Sequence, residues 1–158
     1  MKLKSTKTYA FWIGLTETVG ALSGLLSRNA ITSFEKTALQ SPLSPPPIAF
    51  PIIWTILYAL MGISATRISL TKPSQIRNQS LNIFVVQLIV NFFWSLLFFR
   101  ARAYGFALVW LMLLWVLAMW MILSFRKVDR KAALLQIPYL LWLTFAAYLN
   151  YEVWRLNQ

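Results

Sequence analysis

The sequence contains neither cysteine nor histidine. Without cysteine there is no disulfide, no thiol nucleophile and no thiolate metal site. Without histidine the commonest general base and metal ligand is missing, together with the usual axial ligand of haem iron. Acidic residues are scarce as well: four Asp and Glu stand against fifteen Lys and Arg. No carboxylate pair, metal-ligand cluster, nucleophile with a neighbouring base or phosphate-binding loop can be assembled. No metal site and no required cofactor are expected. An enzyme built from this chain would take its chemistry from its ligand or from aromatic side chains.

Apolar residues are what the chain has in excess. Of 158 residues, 59% are hydrophobic and only 12% charged, where a soluble domain carries about a quarter charged. Crossing the hydrocarbon core takes about 20 apolar residues, and such runs recur along the chain. We read five spans: Tyr9–Ser27, Ile48–Ser69, Leu81–Phe99, Tyr104–Phe125 and Ala132–Trp154. The expected fold is an all-α integral membrane bundle, residues 1–158 forming one domain. The basic start, Lys2 to Lys7, precedes an apolar run that holds Glu17 and no clear small-residue cleavage site, so that run is read as a retained helix.

The net charge of +11 sits in loops and at span ends, the pattern of headgroup anchors rather than of a nucleic-acid surface. Lys2, Lys4, Lys7, Arg67, Lys72, Arg77, Arg126, Lys127, Arg130 and Lys131 lie on the N-terminal side, ten residues against five on the other: Arg28, Lys36, Arg100, Arg102 and Arg155. In a cell membrane this asymmetry places the N-terminus in the cytoplasm. The first loop and the C-terminus then face outward.

That first loop, Arg28 to Pro47, is expected to be long and to act as a lid. Five of the seven prolines fall between Pro42 and Pro51, where Pro45-Pro46-Pro47 ends a non-helical approach and starts the second span. Thr32 to Leu39 is expected to form a short helix, capped by Thr32 or Ser33.

Three spans present a mixed polar and aromatic face. Gln87, Asn91, Trp94, Ser95 and Phe98 share one face of the third span. Phe50, Trp54, Tyr58 and Met61 are spaced alike on the second. The fifth offers Tyr139, Trp142, Ala146, Leu149 or Asn150, and Val153. Such faces suit a flat ligand with a polar rim, and equally suit interhelical hydrogen bonding and core packing. Trp110, Trp115 and Trp120 are five residues apart, a rotation of about 140° per step, so they cannot share a face. Trp12 and Trp154 read as interface anchors. Glu17 lies mid-span beside Gly14, Ala21 and Gly24, and Gly20-Ala21-Leu22-Ser23-Gly24 is a GxxxG pattern that admits a close helix neighbour. An intramembrane carboxylate points either to function or to a buried neutral role.

The run Pro45-Pro46, Phe50, Trp54-Thr55, Leu57-Tyr58 and Met61-Gly62 resembles the signature of the TspO/MBR family, the tryptophan-rich sensory proteins and mitochondrial translocator proteins. Gln87-Leu88, Asn91, Trp94-Ser95 and Phe98-Phe99 resemble its third helix, and Pro138-Tyr139, Trp142, Phe145-Ala146 and Leu149-Asn150 its fifth. The resemblance implies five transmembrane helices, often in a homodimer, with a pocket closed by the first loop. It implies binding of porphyrins, haem, sterols or synthetic aromatic ligands, with Trp54, Tyr58, Asn91, Trp94, Trp142 and Ala146 at pocket positions. The expected function is that of a membrane receptor or sensor for porphyrin-type tetrapyrroles that influences their export or breakdown. Light-dependent porphyrin degradation through Trp54 and Trp142 is one alternative, and transport of tetrapyrroles or sterol-like molecules another. The candidate ligand-binding set is Phe50, Trp54, Tyr58, Gln87, Asn91, Trp94, Trp142, Ala146 and Leu149. Two family marks are absent: Phe34 stands beside Glu35 where an aromatic pair is usual, and Leu43-Ser44 replaces a tryptophan before the prolines. Leu149, Tyr151 and Arg155 satisfy a permissive sterol pattern that carries little weight.

Overall fold

The computed structural model describes residues 2–158. They form α1 (Lys2–Thr37), α2 (Ala49–Ser69), α3 (Gln75–Ser95), α4 (Tyr104–Val128), α5 (Arg130–Leu135) and α6 (Ile137–Leu156). Five stretches are long and apolar enough to cross a membrane, α5 and α6 together making the fifth. The chain is an all-helical, multi-pass membrane bundle.

The first span differs from its expected extent. α1 continues without interruption to Thr37, and the expected helix over Thr32–Leu39 is its last part. No Gly or Pro occurs between Arg28 and Thr37 to stop it, so the helix outlasts the apolar run. The long first loop therefore shrinks to residues 38–48. At about 1.5 Å per residue, 36 residues reach far past the hydrocarbon core.

α3 begins at a serine cap, with Ser74 accepting from the Arg77 N–H. It ends in a π-turn over Leu96–Arg100, where the Ala101 N–H reaches the Leu96 carbonyl at 2.9 Å. Arg102 follows at φ 51°, a left-handed conformation that costs a non-glycine residue about 1 kcal/mol or more. Its guanidinium donates to the Ser33 hydroxyl at 2.7 Å, tying this turn to α1. The last span breaks at Gln136, and Pro138 in the first turn of α6 lacks the N–H that would continue the α5 ladder.

Around the bundle, α1 packs on α2 and α3, α3 on α4, and α4 on α6, while α5 wedges against α2 and α4. α2 and α6 meet almost only through side chains. The backbone contact between α1 and α2 depends on Gly62, where any Cβ would strike the Ile13 backbone. Gly20 makes similar room for the Tyr58 ring, whereas Gly14 and Gly24 face open space, so only one glycine of the GxxxG pattern is used within the chain. Hydroxyls bind helices together: Thr16 donates to the Tyr58 carbonyl at 2.7 Å, Ser64 to the Ala132 carbonyl at 2.6 Å, and Ser80 pairs with Ser124 at 2.7 Å. The apolar core includes Met61, Phe84, Leu111, Met121 and Phe125. Trp12 packs edge-on to Phe84 at 5.6 Å, so it belongs to this core rather than to an interface belt.

At the basic end, Arg67 Nε donates to Asp129 Oδ2 at 2.7 Å, and Asp129 Oδ1 caps α5 by accepting from the Lys131 N–H at 2.9 Å. Burial pushes the Asp129 carboxyl up, but the Arg67 hydrogen bond and charge and the backbone donors outweigh it, leaving the pKa lowered. A carboxyl lowered on folding stabilises fully above the unfolded pKa, about 3.9, and loses that contribution as pH falls through the folded value. Asp129→Asn keeps the cap acceptor and removes the charge. Its melting temperature in detergent should lie below wild type at pH 7, and the gap should close on acidification below pH ~4. A gap independent of pH would show that the ion pair contributes nothing.

Candidate functional site

The inward faces of α2, α3 and α6 converge as their spacing predicts. On α2, the Trp54 ring stacks on Tyr58 with centroids 5.4 Å apart and planes at 29°. On α6, Trp142 stands edge-on to Trp54 at 6.5 Å and 90°, and to Phe50 at 5.8 Å. Tyr139 completes the group, 6.4 Å from Trp54. Edge-to-face and offset contacts at these separations are the favoured aromatic geometries.

Behind the rings runs a directed chain of buried hydrogen bonds. The Tyr58 hydroxyl donates to Asn91 Oδ1 at 2.6 Å, Asn91 Nδ2 donates to the Tyr139 hydroxyl at 2.9 Å, and that hydroxyl donates to Gln87 Oε1 at 2.8 Å. Asn91 and Tyr139 each accept one bond and donate the next, so the chain runs in one sense from the Tyr58 hydroxyl to Gln87 and leaves the Gln87 donor over. That donor, Gln87 Nε2, is buried without a partner, as is Trp142 Nε1. Orphaned buried donors are uncommon and call for an explanation. Here Gln87 is hydrogen-bonded to Tyr139 and Trp142 packs on Trp54, so both donors belong to residues that touch this group.

The remaining candidates divide. Ala146 is buried in the same core and supplies the small surface that its spacing suggested. Leu149 is buried but lies outside both core clusters. Its neighbour Asn150 carries the polar role on this face, accepting from Trp94 Nε1 at 3.1 Å and donating to the Tyr104 carbonyl at 2.8 Å. Trp94 stacks on Phe98 at 5.1 Å and joins a second cluster with Phe34, Phe98, Ala107 and Val153 toward the first loop. It also packs on the main core beside the Trp54 group, so it bridges the two clusters. Phe34, alone where a pair of aromatics is usual, is 7% exposed and packs on both Phe98 and Phe99.

Tyr139 was legible only as one residue on the α6 face, yet it is the hub, accepting from α3 and donating back to it. Gln136, one turn before Tyr139, was not singled out. It is fully buried with both side-chain polar atoms unpartnered, and a lone amide at the start of an apolar run was its signal. Glu17 is half-buried and has no hydrogen-bonded or ionic partner among the described residues. It follows Thr16, which holds the Tyr58 carbonyl.

A cavity of about 450 Å³ opens on the outer side of the aromatic group, between α2 and α6. The volume is in the range of small-molecule sites. It does not lie beneath residues 38–48; that loop is instead pinned at the far end of α6, where Asn157 Oδ1 accepts from the Leu39 N–H at 3.0 Å and Asn157 Nδ2 donates to the Leu39 carbonyl at 2.8 Å.

Comparison with known proteins identifies the relatives of the chain. The chain is 33% identical over 156 residues to the tryptophan-rich protein TspO of Chlorobaculum tepidum, covering 98% of both chains. It is 36% identical over 114 residues to the tryptophan-rich sensory protein of Cereibacter sphaeroides, covering 72% of this chain and 70% of that one. It is 40% identical over 146 residues to the translocator protein of Sus scrofa, covering 89% and 86% respectively. The profile of the TspO/MBR family matches residues 12–155, and the chain belongs to that family.

Proposed function

We propose that this protein is a membrane receptor that binds a porphyrin-type tetrapyrrole against the rings of Phe50, Trp54, Tyr58 and Trp142. The observation that carries this reading is the pair of buried unpartnered donors, Gln87 Nε2 and Trp142 Nε1, bordering a set of flat rings. A flat ligand with acceptors on its rim would satisfy both donors and offer faces for stacking. The sensory and translocator names of its relatives agree with a ligand-responsive role. Asn91 spends both amide groups on Tyr58 and Tyr139. Gln87 is therefore the amide free to meet a ligand.

Binding through stacking and rim hydrogen bonds has no use for iron, and the chain offers no histidine to ligate it. Protoporphyrin and haem should bind the purified protein in the dark with affinities within about tenfold of each other, a difference of about 1.4 kcal/mol. Saturable uptake above the level of empty micelles is the expected result. Far tighter haem binding with a six-coordinate low-spin spectrum would contradict the stacking account.

The 6.5 Å separation of Trp54 and Trp142 favours a second reading, in which the bound porphyrin is oxidised by dioxygen in light through electron-rich indoles. It is tested below. The orientation we propose places the Arg126–Lys131 turn inside and residues 38–48 outside. Because the chain has no cysteine, single cysteines report cleanly. An impermeant thiol reagent added to intact cells should label Gln40→Cys and spare Lys127→Cys; the opposite pattern reverses the topology.

A further inference from the structure

We propose that the gap between α2 and α6 is a lateral portal through which the ligand passes between the acyl-chain region of the bilayer and the aromatic site. This rests on the binding reading above. The other neighbours around the bundle are sealed by backbone packing, whereas α2 and α6 are joined almost only by side chains. The gap is bounded at both ends. At the basic end Ser64 donates to the Ala132 carbonyl and α5 packs on α2. At the opposite end Asn157 clips α6 to the Leu39 backbone through two hydrogen bonds. Between them the break at Gln136 and Pro138 separates α6 from the α5 segment that holds α2. What remains is a slot closed by side chains alone, among them the rings of Phe50, Trp54, Tyr139 and Trp142.

The slot has a lining and a plug. Ile53, Leu57 and Leu60 line it on α2, and Leu141, Trp142 and Phe145 on α6. The lining runs seven residues on each helix, Ile53 to Leu60 on α2 and Pro138 to Phe145 on α6, an opening about 10 Å long by helical rise. The lining is apolar, as passage from lipid requires, and the cavity of about 450 Å³ is open outward. Trp142 lines it and stands edge-on to Trp54 at 6.5 Å. Trp54 is fixed by stacking on Tyr58, which is itself hydrogen-bonded to Asn91. Trp142 has no hydrogen bond to hold its indole, so its rotation breaks no polar contact. Trp142, which lines the slot, is therefore the gate, and its ring contacts with Phe50, Trp54 and Phe145 are what its rotation must exchange.

A portal has a kinetic signature: narrowing it slows entry and exit by the same factor and leaves affinity unchanged. Ile56 and Leu141, both more than half exposed on the lips of the slot, are replaced together as Ile56→Cys and Leu141→Cys. They are then bridged with a reducible bifunctional thiol reagent, and protoporphyrin binding in nanodiscs is followed by stopped flow. Bridging should slow association and dissociation alike by about tenfold or more with equilibrium affinity within about twofold, and reductant should restore both rates. Unchanged rates in the bridged protein would overturn the portal while leaving the binding reading intact. Loss of affinity with an unchanged association rate would also overturn it, because the slot would then be the resting place of the ligand. If unmodified protein shows no saturable binding, both the portal and the receptor reading fall.

Discussion

Asn91→Leu should lower stability by about 1–3 kcal/mol, the cost of leaving a buried donor unsatisfied. Asn91 occupies the middle of the hydrogen-bonded series, and its loss strands the hydroxyl of Tyr58, a buried residue whose one side-chain hydrogen bond is to Asn91. Tyr139 keeps its bond to Gln87, so one group rather than two is orphaned. The companion change Tyr58→Phe removes the stranded donor. The double variant Asn91→Leu with Tyr58→Phe should therefore recover most of the loss, since deleting both partners of a buried hydrogen bond is far cheaper than deleting one. Thermal unfolding in detergent measures all three. If the double variant is as unstable as the sum of the singles, the bond is not what Asn91 contributes.

Replacing Trp54 and Trp142 together with phenylalanine should nearly abolish any light-dependent loss of a bound porphyrin while weakening dark binding only modestly. Phenylalanine keeps a ring for stacking but removes the electron-rich indole and its N–H. The two positions stand at a right angle 6.5 Å apart, so an excited porphyrin lying against either would be within contact of both. Trp115→Phe is the control. Trp115 lies on α4 and donates to the Thr144 hydroxyl at 2.9 Å, outside the group. Illumination of porphyrin-loaded protein in air, followed by the porphyrin absorption band, gives the rate. Loss at the wild-type rate in the double variant would assign the reaction to solution photo-oxidation and leave the protein a receptor alone.

The sequence made some of this legible for clear physical reasons. The start of α2 was set within a residue by three consecutive prolines, and its facing residues by helical period; Trp54, Tyr58, Asn91 and Trp142 meet as that period requires. The end of α1 lies ten residues past the end of the apolar run at Ser27, because hydropathy marks the membrane-embedded stretch and not the helix. Seven of the ten residues after Ser27 are polar, but none is a breaker, and a helix leaving the bilayer does not stop for polarity. The glycine pattern was half right. Gly20 and Gly24 differ by about 40° around the axis, enough to put one against Tyr58 and the other in open space. The tryptophans of α4 do point apart as their spacing demands: Trp110 donates to the Val90 carbonyl, Trp115 to Thr144, and Trp120 is 58% exposed. Pairings were out of reach. Period places an amide on a face, but which hydroxyl it meets depends on how two helices are set axially, and that axial offset is fixed by packing. Tyr139 as hub, Asn150 as the partner of Trp94 and the solitary Gln136 all belong to that second kind of information.

The most direct measurement is a dark titration of the nanodisc-embedded protein with protoporphyrin, comparing wild type, Trp54→Ala and Trp120→Ala. Both substitutions remove an indole, but only Trp54 belongs to the ring group; Trp120 faces outward on α4. Taking a stacked ring as worth about 1–3 kcal/mol, Trp54→Ala should weaken binding about 5- to 150-fold while Trp120→Ala leaves it at the wild-type value. Equal affinity in all three proteins, or uptake no greater than that of empty nanodiscs, would contradict a ligand site among α2, α3 and α6.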